Sequence, residues 1–255
     1  MAVKWGARRQ ILYYGVGIIL LTIFLVSAWR VFFYKVPMCN DGVENGNEAG
    51  VDCGGVCAAL CPDTARQPTI LWSRAFLTAP HIYTAAAYIE NNNVAVGAGA
   101  KQVHYSFQLF DDKNILVAER EGMVDIPPVQ NVPIVETNIN TGEREVSHTF
   151  FNFVTTDTPV KWSKVSPDAI QELRITQTGE YQDNKLSATV ANDSYDDAKN
   201  VTVLAVLFDA DGVARAASKA TVARVPHRGT SSVTFTWPEA PQNIIRAEVT
   251  VLPSF

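Results

Sequence analysis

KQVHYSFQLFD at residues 101–111 and KNVTVLAVLFD at residues 199–209 align without a gap at an offset of 98 residues, and the same offset sets Pro128 on Pro226. Upstream, Ile89-Glu90-Asn91 matches Val190-Ala191-Asn192 at an offset of 101, so the first copy carries three extra residues in its Asn91-Asn92-Asn93 loop. Runs rich in Val, Ile, Thr and Phe, such as residues 201–208 and 244–251, favour the pleated backbone. Turn residues separate these runs at short, regular intervals. A repeat of this length with that rhythm predicts a mainly β fold with two tandem immunoglobulin-like β-sandwiches. They are placed at residues 69–168 and 169–255, with the boundary near Ser166-Pro167-Asp168. Residues 201–208 are apolar at several positions of both parities, which predicts a central strand packed on both faces.

Within the first copy, Phe107-Gln108-Leu109-Phe110-Asp111 resembles the F-x-L-[FY]-D signature of a family of small extracytoplasmic β domains, commonly membrane-tethered. The second copy keeps Leu207-Phe208-Asp209 and has Ala205 in place of the first Phe. The resemblance implies a tethered, extracytoplasmic body. Strand physics accounts for the same residues: Phe107 and Leu109, and Ala205 and Leu207, fall on one face, while Asp111 and Asp209 open hairpin turns.

Moving towards the N-terminus, ILYYGVGIILLTIFLVSAW at residues 11–29 has no charge. At 1.5 Å per residue it spans about 28 Å, the thickness of a hydrocarbon core. A transmembrane helix is therefore expected over residues 11–34, after a short cytoplasmic segment at 1–10. A cleaved signal peptide, with Val26-Ser27-Ala28 as the small-residue site, ranks second. Lys4, Arg8 and Arg9 precede the run while Arg30 and Lys35 follow it, which favours a cytoplasmic N-terminus and an exported body. Tyr13, Tyr14, Trp29, Phe32, Phe33 and Tyr34 stand at its two ends, where amphipathic rings favour the interface.

Residues 36–68 form a cysteine-rich neck and linker. All 4 cysteines, Cys39, Cys53, Cys57 and Cys61, lie there, and the 194 residues that follow contain none. Clustered and even in number beyond a membrane segment, they are expected to form two disulfides, with three pairings open. The stretch from Cys39 to Cys61 resembles a short module, C-x-D-G-x-x-N-G-x-E-x-x-x-D-C-G-G-x-C-x-x-C, of secreted and surface-exposed proteins. It departs from that module in placing three residues between Cys57 and Cys61 instead of two. Asp41, Asn45 and Asp52 fall at positions 1, 5 and 12 of a calcium-loop pattern and are the candidate ligands of a structural Ca2+. Val43 stands at position 3, where an oxygen ligand belongs. Zinc on Cys53, Cys57 and Cys61 is the weaker alternative, because oxidising surroundings favour disulfides. The neck shares no hydrophobic pattern with the body and the stretch from Pro62 to Pro68 is polar, so the sandwiches are expected to fold apart from it.

Charge and motifs narrow the function. The chain carries 21 basic and 26 acidic residues; 5 of the bases lie in residues 1–35 with no acid, leaving a net −10 for the rest. So acidic a body excludes a nucleic-acid partner, because phosphate contacts depend on Lys and Arg. His81, His104, His148 and His227 are dispersed, and no H-E-x-x-H, G-x-S-x-G or phosphate-binding glycine loop occurs. No enzymatic activity and no cofactor beyond the candidate Ca2+ are expected. The expected role is that of a single-pass membrane-anchored surface protein whose sandwiches act as spacer and as protein-interaction or adhesion module, with a protein or surface-polymer partner. An extracytoplasmic subunit of a secretion or pilus assembly is the alternative. Two loops of the first copy, Asn91-Asn92-Asn93 and the segment 132–145 with Asn138 and Asn140, are candidate recognition elements. Asn192-Asp193-Ser194 and Asn200-Val201-Thr202 fit glycosylation sequons.

Overall fold

The computed structural model describes residues 5–33, 36–154, 159–253 and 255. Lys4, Tyr34 and Lys35, which the sequence reading sets at the helix ends, lie outside the described residues. The chain divides into two compact units, residues 1–52 and 53–255.

The first unit begins with one helix, α1 (Trp5–Phe33), of 29 residues. It starts earlier than the uncharged run because Arg8, Arg9 and Gln10 are good helix formers that carry the helix past Gly6. The stretch Arg8–Phe33 is long and apolar enough to cross a membrane, and its large apolar side chains are exposed all round. Thr22 donates its hydroxyl to the carbonyls of Ile18 and Ile19 at 3.0 and 2.8 Å, so the hydroxyl is satisfied inside the helix.

The second unit is β-rich. Its strands are β1 (Thr69–Ala79), β2 (Ile82–Glu90), β3 (Ala98–Phe110), β4 (Leu116–Ile126), β5 (Asn131–Asn140), β6 (His148–Phe153) and β7 (Ser163–Lys164). They are followed by β8 (Leu173–Thr178), β9 (Lys185–Asn192), β10 (Ala198–Phe208), β11 (Ala214–Val225), β12 (Gly229–Thr236) and β13 (Arg246–Val251). In the first sandwich, sheet β1-β2-β5 faces sheet β4-β3-β6, with β7 paired to the start of β3. In the second, sheet β8-β9-β12 faces sheet β11-β10-β13. The repeat is therefore complete: β1-β2-β5 corresponds to β8-β9-β12, and β4-β3-β6 to β11-β10-β13. Tyr83, Ala85, Phe107, Leu109, Ile134 and Phe151 exemplify the first core; Leu186, Val190, Val203, Leu207, Phe235 and Trp237 exemplify the second.

A third apolar cluster joins the two sandwiches. Leu204, Val206 and Phe208 on β10, with Ala214 and Ala217 on β11, pack against Ala86 on β2, Val135 on β5, and Trp72 and Phe76 on β1. Strand β10 is thus central in its sheet and buried on both faces, as its two-sided apolar pattern predicts: Val203, Ala205 and Leu207 enter one core while Leu204, Val206 and Phe208 enter the seam. Repeat-equivalent β3 carries His104, Ser106 and Gln108 where β10 has Thr202, Leu204 and Val206, and its second face is covered by side chains such as Glu119 on β4 in place of a further sheet. Four sheets consequently stack as β4-β3-β6, β1-β2-β5, β11-β10-β13 and β12-β9-β8. The seam has a polar margin. Tyr88 donates to Glu248 at 2.8 Å, and Glu136 faces Lys219 at 3.7 Å and Arg120 at 3.5 Å while accepting the Tyr105 hydroxyl at 2.6 Å. Burial, then the neighbouring carboxylates, raises both tyrosine pKa values, so these hydroxyls remain protonated donors. Tyr105 lies across Gly122, its register partner on β4, where a Cβ would collide with the ring oxygen.

The expectation that the sandwiches stand apart from the neck and linker is corrected. Leu60 and Ala65 pack on the first core. The Leu60 N–H donates to Trp162 O at 2.9 Å, and the Lys164 N–H to Ala58 O at 2.8 Å. The linker is clamped by the longer loop of the first copy: Asn93 accepts from the Arg66 N–H at 2.8 Å and donates to Arg66 O at 2.6 Å, and Asn92 donates to Gln67 O at 2.7 Å. A linker with these main-chain partners is ordered, whatever its polarity.

Two outcomes follow from this packing. Leu207→Ala should cost about 2–5 kcal/mol, the range for a fully buried leucine; Val206→Glu, which sets an unpaired charge in the seam, should split one calorimetric transition of the body into two. Scanning calorimetry of the full chain reads both, and a single unaltered transition in Val206→Glu would show that the seam does not couple the sandwiches. The second outcome concerns acid. Main-chain N–H groups, from Ile115 to Asp111 and from Val213 to Asp209, with Arg144 and Arg215 after them, hold these carboxyls below the usual range. Folded pKa values below the unfolded ones contribute stability above pH of about 4, lost as pH falls through the folded values. Urea midpoints should therefore drop on acidification in this window, and Asp111→Asn with Asp209→Asn should flatten the drop.

Candidate functional site

The neck residues come together by short-range turns. Asp52 accepts the N–H groups of Asp41 and Gly42, both at 2.9 Å. Asp41 accepts the Val43 N–H at 3.0 Å and the Asn45 amide at 2.8 Å, while Glu48 accepts the N–H groups of Asn45 and Asp52. Asp41, Asn45 and Asp52 are thus neighbours, joined by hydrogen bonds from the Asp41 N–H to Asp52 and from the Asn45 amide to Asp41. Their carboxylates are already committed to main-chain donors; Oδ1 of Asn45 is buried without a protein partner. Gly42 and Gly46 take positive φ of 74° and 62°, the conformations that let so short a loop fold back. Cys53 is bonded to Cys61, with Cα atoms 5.0 Å apart. Cys39 and Cys57 are disulfide-bonded as well, and no cysteine is free. Closing the short loop between Cys53 and Cys61 removes unfolded-chain entropy equivalent to about 2–3 kcal/mol, and it presents Leu60 to Trp162.

The repeat signature is architectural. Asp111 accepts the N–H groups of Lys113 and Ile115 and pairs with Arg144. Asp209 does the same with Asp211 and Val213 and pairs with Arg215. Asn91 donates to Ala98 O and Pro127 O; Asn192 donates to Asp196 O and Val225 O, the same carbonyls one repeat later. Each side-chain oxygen accepts a main-chain N–H two residues on. Asn192 is 0% exposed. Its sequon is consequently buried in the fold, while Asn200 is exposed at a positive φ of 52°.

The loop candidates resolve differently. Asn92 and Asn93 spend their amides on the linker. The segment 132–145 is strand β5 and a tight turn in which the Thr141 N–H reaches His81 O at 3.0 Å and the Gly142 N–H reaches Asn140 at 2.8 Å. The histidines have separate partners: His148 stacks on Phe110 at 5.7 Å, His227 accompanies Asp197, and the His81 carbonyl accepts from Thr141. Among the described residues they join no metal-sized group of carboxylates or cysteines.

Chemistry concentrates instead on the open side of the first sandwich. Strand β6 pairs with β3 and β1 with β2, and each leaves its other edge unpaired among the described residues. Between those edges lies a groove of about 450 Å3, completed by Ala214 and Arg215 of the second sandwich. Beside it, Phe110, His148 and Phe150 form an aromatic shelf with ring centroids 5.6 to 5.8 Å apart, and Phe150 is 53% exposed. Farther along the same sheet face, Ser106 and Gln108 donate to Glu119 at 2.7 and 2.9 Å, and these two bonds, Gln108 first, lower its pKa. Sequence reading did not single out this groove. The available signal was the run HTFFNF at 148–153, which sets His148, Phe150 and Asn152 on the uncovered face of an edge strand.

No family model matches the chain, and no curated protein matches it. Among solved structures it is similar to red sea bream transglutaminase, at 12% identity and a TM-score of 0.22, over 74% of this chain and 29% of that one. It is also similar to the calcium binding domain CBD12 of CALX1.1, at 11% identity and a TM-score of 0.19, over 67% of this chain and 73% of that one. The CBM22-1-CBM22-2 tandem domain from Paenibacillus barcinonensis Xyn10C matches at 7% identity and a TM-score of 0.15, over 74% of this chain and 86% of that one. The chain spans under a third of the transglutaminase. TM-scores this low leave fold and function to be read from the chain itself.

Proposed function

We propose that this chain is a non-enzymatic, single-pass membrane-anchored surface protein: α1 anchors it with the N-terminus in the cytoplasm, and the β body stands outside as spacer and protein-interaction module. The observation that carries this reading is the apolar seam, which makes two sandwiches one stiff body. A linked pair with a large buried interface holds a fixed geometry, as a spacer requires. Supporting it are the oxidised cysteines, expected only outside the reducing cytoplasm, and the use of the repeat's polar residues as structural anchors. Free strand edges on such a body offer main-chain donors and acceptors to a partner.

A membrane-impermeant amine reagent on intact cells should label exposed body lysines such as Lys101 and Lys199; labelling only after permeabilisation would reverse the topology. Alkylation without reductant should find no thiol at any of the four cysteines. Photo-crosslinkers at exposed Met123 and Tyr195 should yield protein adducts in cells; none at any body position would remove the interaction role and leave a spacer. Because main-chain N–H groups already hold the neck carboxylates, millimolar Ca2+ is expected to leave the melting temperature unchanged. A saturable rise, abolished by Asp52→Asn, would instead establish calcium at Asp41, Asn45 and Asp52.

A further inference from the structure

Three lysines converge where the end of the neck meets the first sandwich. Lys101 on β3, Lys161 just before β7 and Lys164 on β7 line one hollow of about 410 Å3, and among the described residues no Asp or Glu lines it with them. Asp168 is exposed between the lining residues Ser166 and Ala169 and does not line the hollow. None of the three lysines joins an ion pair among the described residues, on a body whose net charge is −10. Like charges round one hollow repel, and a counter-anion relieves that repulsion. Two of the three are held in place. The Lys164 ammonium donates to Gly55 O at 2.7 Å, and the Lys101 ammonium stands 5.1 Å from the centre of the Phe255 ring. That ring is seated on Gly99, where a Cβ would come within 2.9 Å of it. The walls are fixed by main-chain pairing: Ala98 pairs with Lys164 and Gly99 with Ser163, and the Val165 N–H donates to Gly97 O at 2.9 Å. An ammonium with one acceptor keeps two further donors for a ligand.

The lining fits a phosphate. Lysine meets phosphate oxygens as a compact point charge, and the hydroxyls of exposed Ser163 and Ser166 add neutral donors. Val165, Ala169 and the Phe255 ring give the hollow an apolar wall, a mixture that suits the boundary between headgroups and acyl chains. Chain connectivity names the source of the phosphate. Gly55, which Lys164 holds, follows Phe33, the last residue of α1, by 22 residues, a reach of at most about 75 Å even when fully extended. A bilayer that holds α1 is therefore presented to the hollow on an intramolecular tether, so attractions of only about fivefold per lysine suffice for contact. Resting on the reading of α1 as a membrane anchor, we propose that this hollow binds the phosphate of anionic phospholipid headgroups in the bilayer that holds α1, docking the body on the membrane surface.

The full chain in nanodiscs tests this, with phosphatidylcholine alone or in an equal mixture with phosphatidylglycerol. The readout is the ratio, between the two lipids, of the initial rate at which an amine reagent modifies each lysine, resolved by mass spectrometry. Phosphatidylglycerol should slow Lys161 and Lys164 about threefold or more and leave Lys113, beyond the far end of β3, unchanged. Added salt should restore the rates. Lys101→Glu with Lys161→Glu should bring the ratio at Lys164 back to that of Lys113. Both replaced side chains are exposed, so unchanged melting shows the variant folded; if it melts early, Lys161→Gln alone carries the test and should lose part of the protection at Lys164. Equal rates in the two lipids, or protection at Lys164 that survives the charge reversal, would overturn the hollow while a chain retained in the discs keeps its anchor. A chain that no disc retains would overturn the anchor reading itself. Millimolar inorganic phosphate with phosphatidylcholine discs should protect neither lysine; protection equal to that of phosphatidylglycerol would assign the hollow to free phosphate and overturn the headgroup.

Discussion

The architecture of the body rests on one constraint: β10 has two apolar faces and a sandwich covers only one. Leu204, Val206 and Phe208 need a second cover, and the sheet β1-β2-β5 of the first sandwich provides it. Ala86 on β2 and Ala217 on β11 belong to this seam, where small residues let the two sheets approach closely, and the partly buried Trp72 and Phe76 pack against it. Burying three large side chains on one face of a central strand is worth several kcal/mol by area, of the order of a domain's net stability.

This packing is heterologous: unlike faces of two equivalent domains meet. Contacts of that kind propagate into an open array unless something stops them. The chain stops it by composition. The outward face of β3 bears His104, Ser106 and Gln108, and the outward face of β9 and β12 bears Ser187, Thr189, Thr230, Ser232 and Thr234. Hydroxyls and amides keep these outer sheets polar while threonine keeps its β preference. The aromatic shelf of Phe110, His148 and Phe150 is the exception on an otherwise polar outer face. It adjoins the free edge of β6, where the seam has brought Arg215 of the second sandwich alongside the first.

The lower end of the body is built on a different scale. Residues 53–68 have too few apolar side chains for a core of their own, and the Cys53–Cys61 disulfide substitutes for one by shaping a turn that offers Leu60 to the first sandwich. Asn92 and Asn93, where the second copy has Asp193 and Ser194, match this task, because the second copy has no neck to hold. A loop that looks like a recognition element is therefore an internal clasp that holds Arg66 and Gln67 of the linker to the first sandwich.

Local chemistry alone determined much of this protein. An uncharged run of 19 residues makes a helix in any context that lacks water. Asp111 and Asp209 close hairpins through bonds that span at most four residues, and a repeat at an offset of 98 obliges two copies of one sandwich. Even the two-sided burial of β10 was legible, because side chains alternate across a strand whatever covers them. Only the tertiary structure decided what covers them. Which sheet of the first sandwich meets β10, that Asn192 is buried although it heads a sequon, and that Arg74, Thr149 and Arg215 share one groove are relations between residues up to 141 positions apart. Such distances close only when cores pack, and the pattern of a single strand carries no record of its distant neighbour.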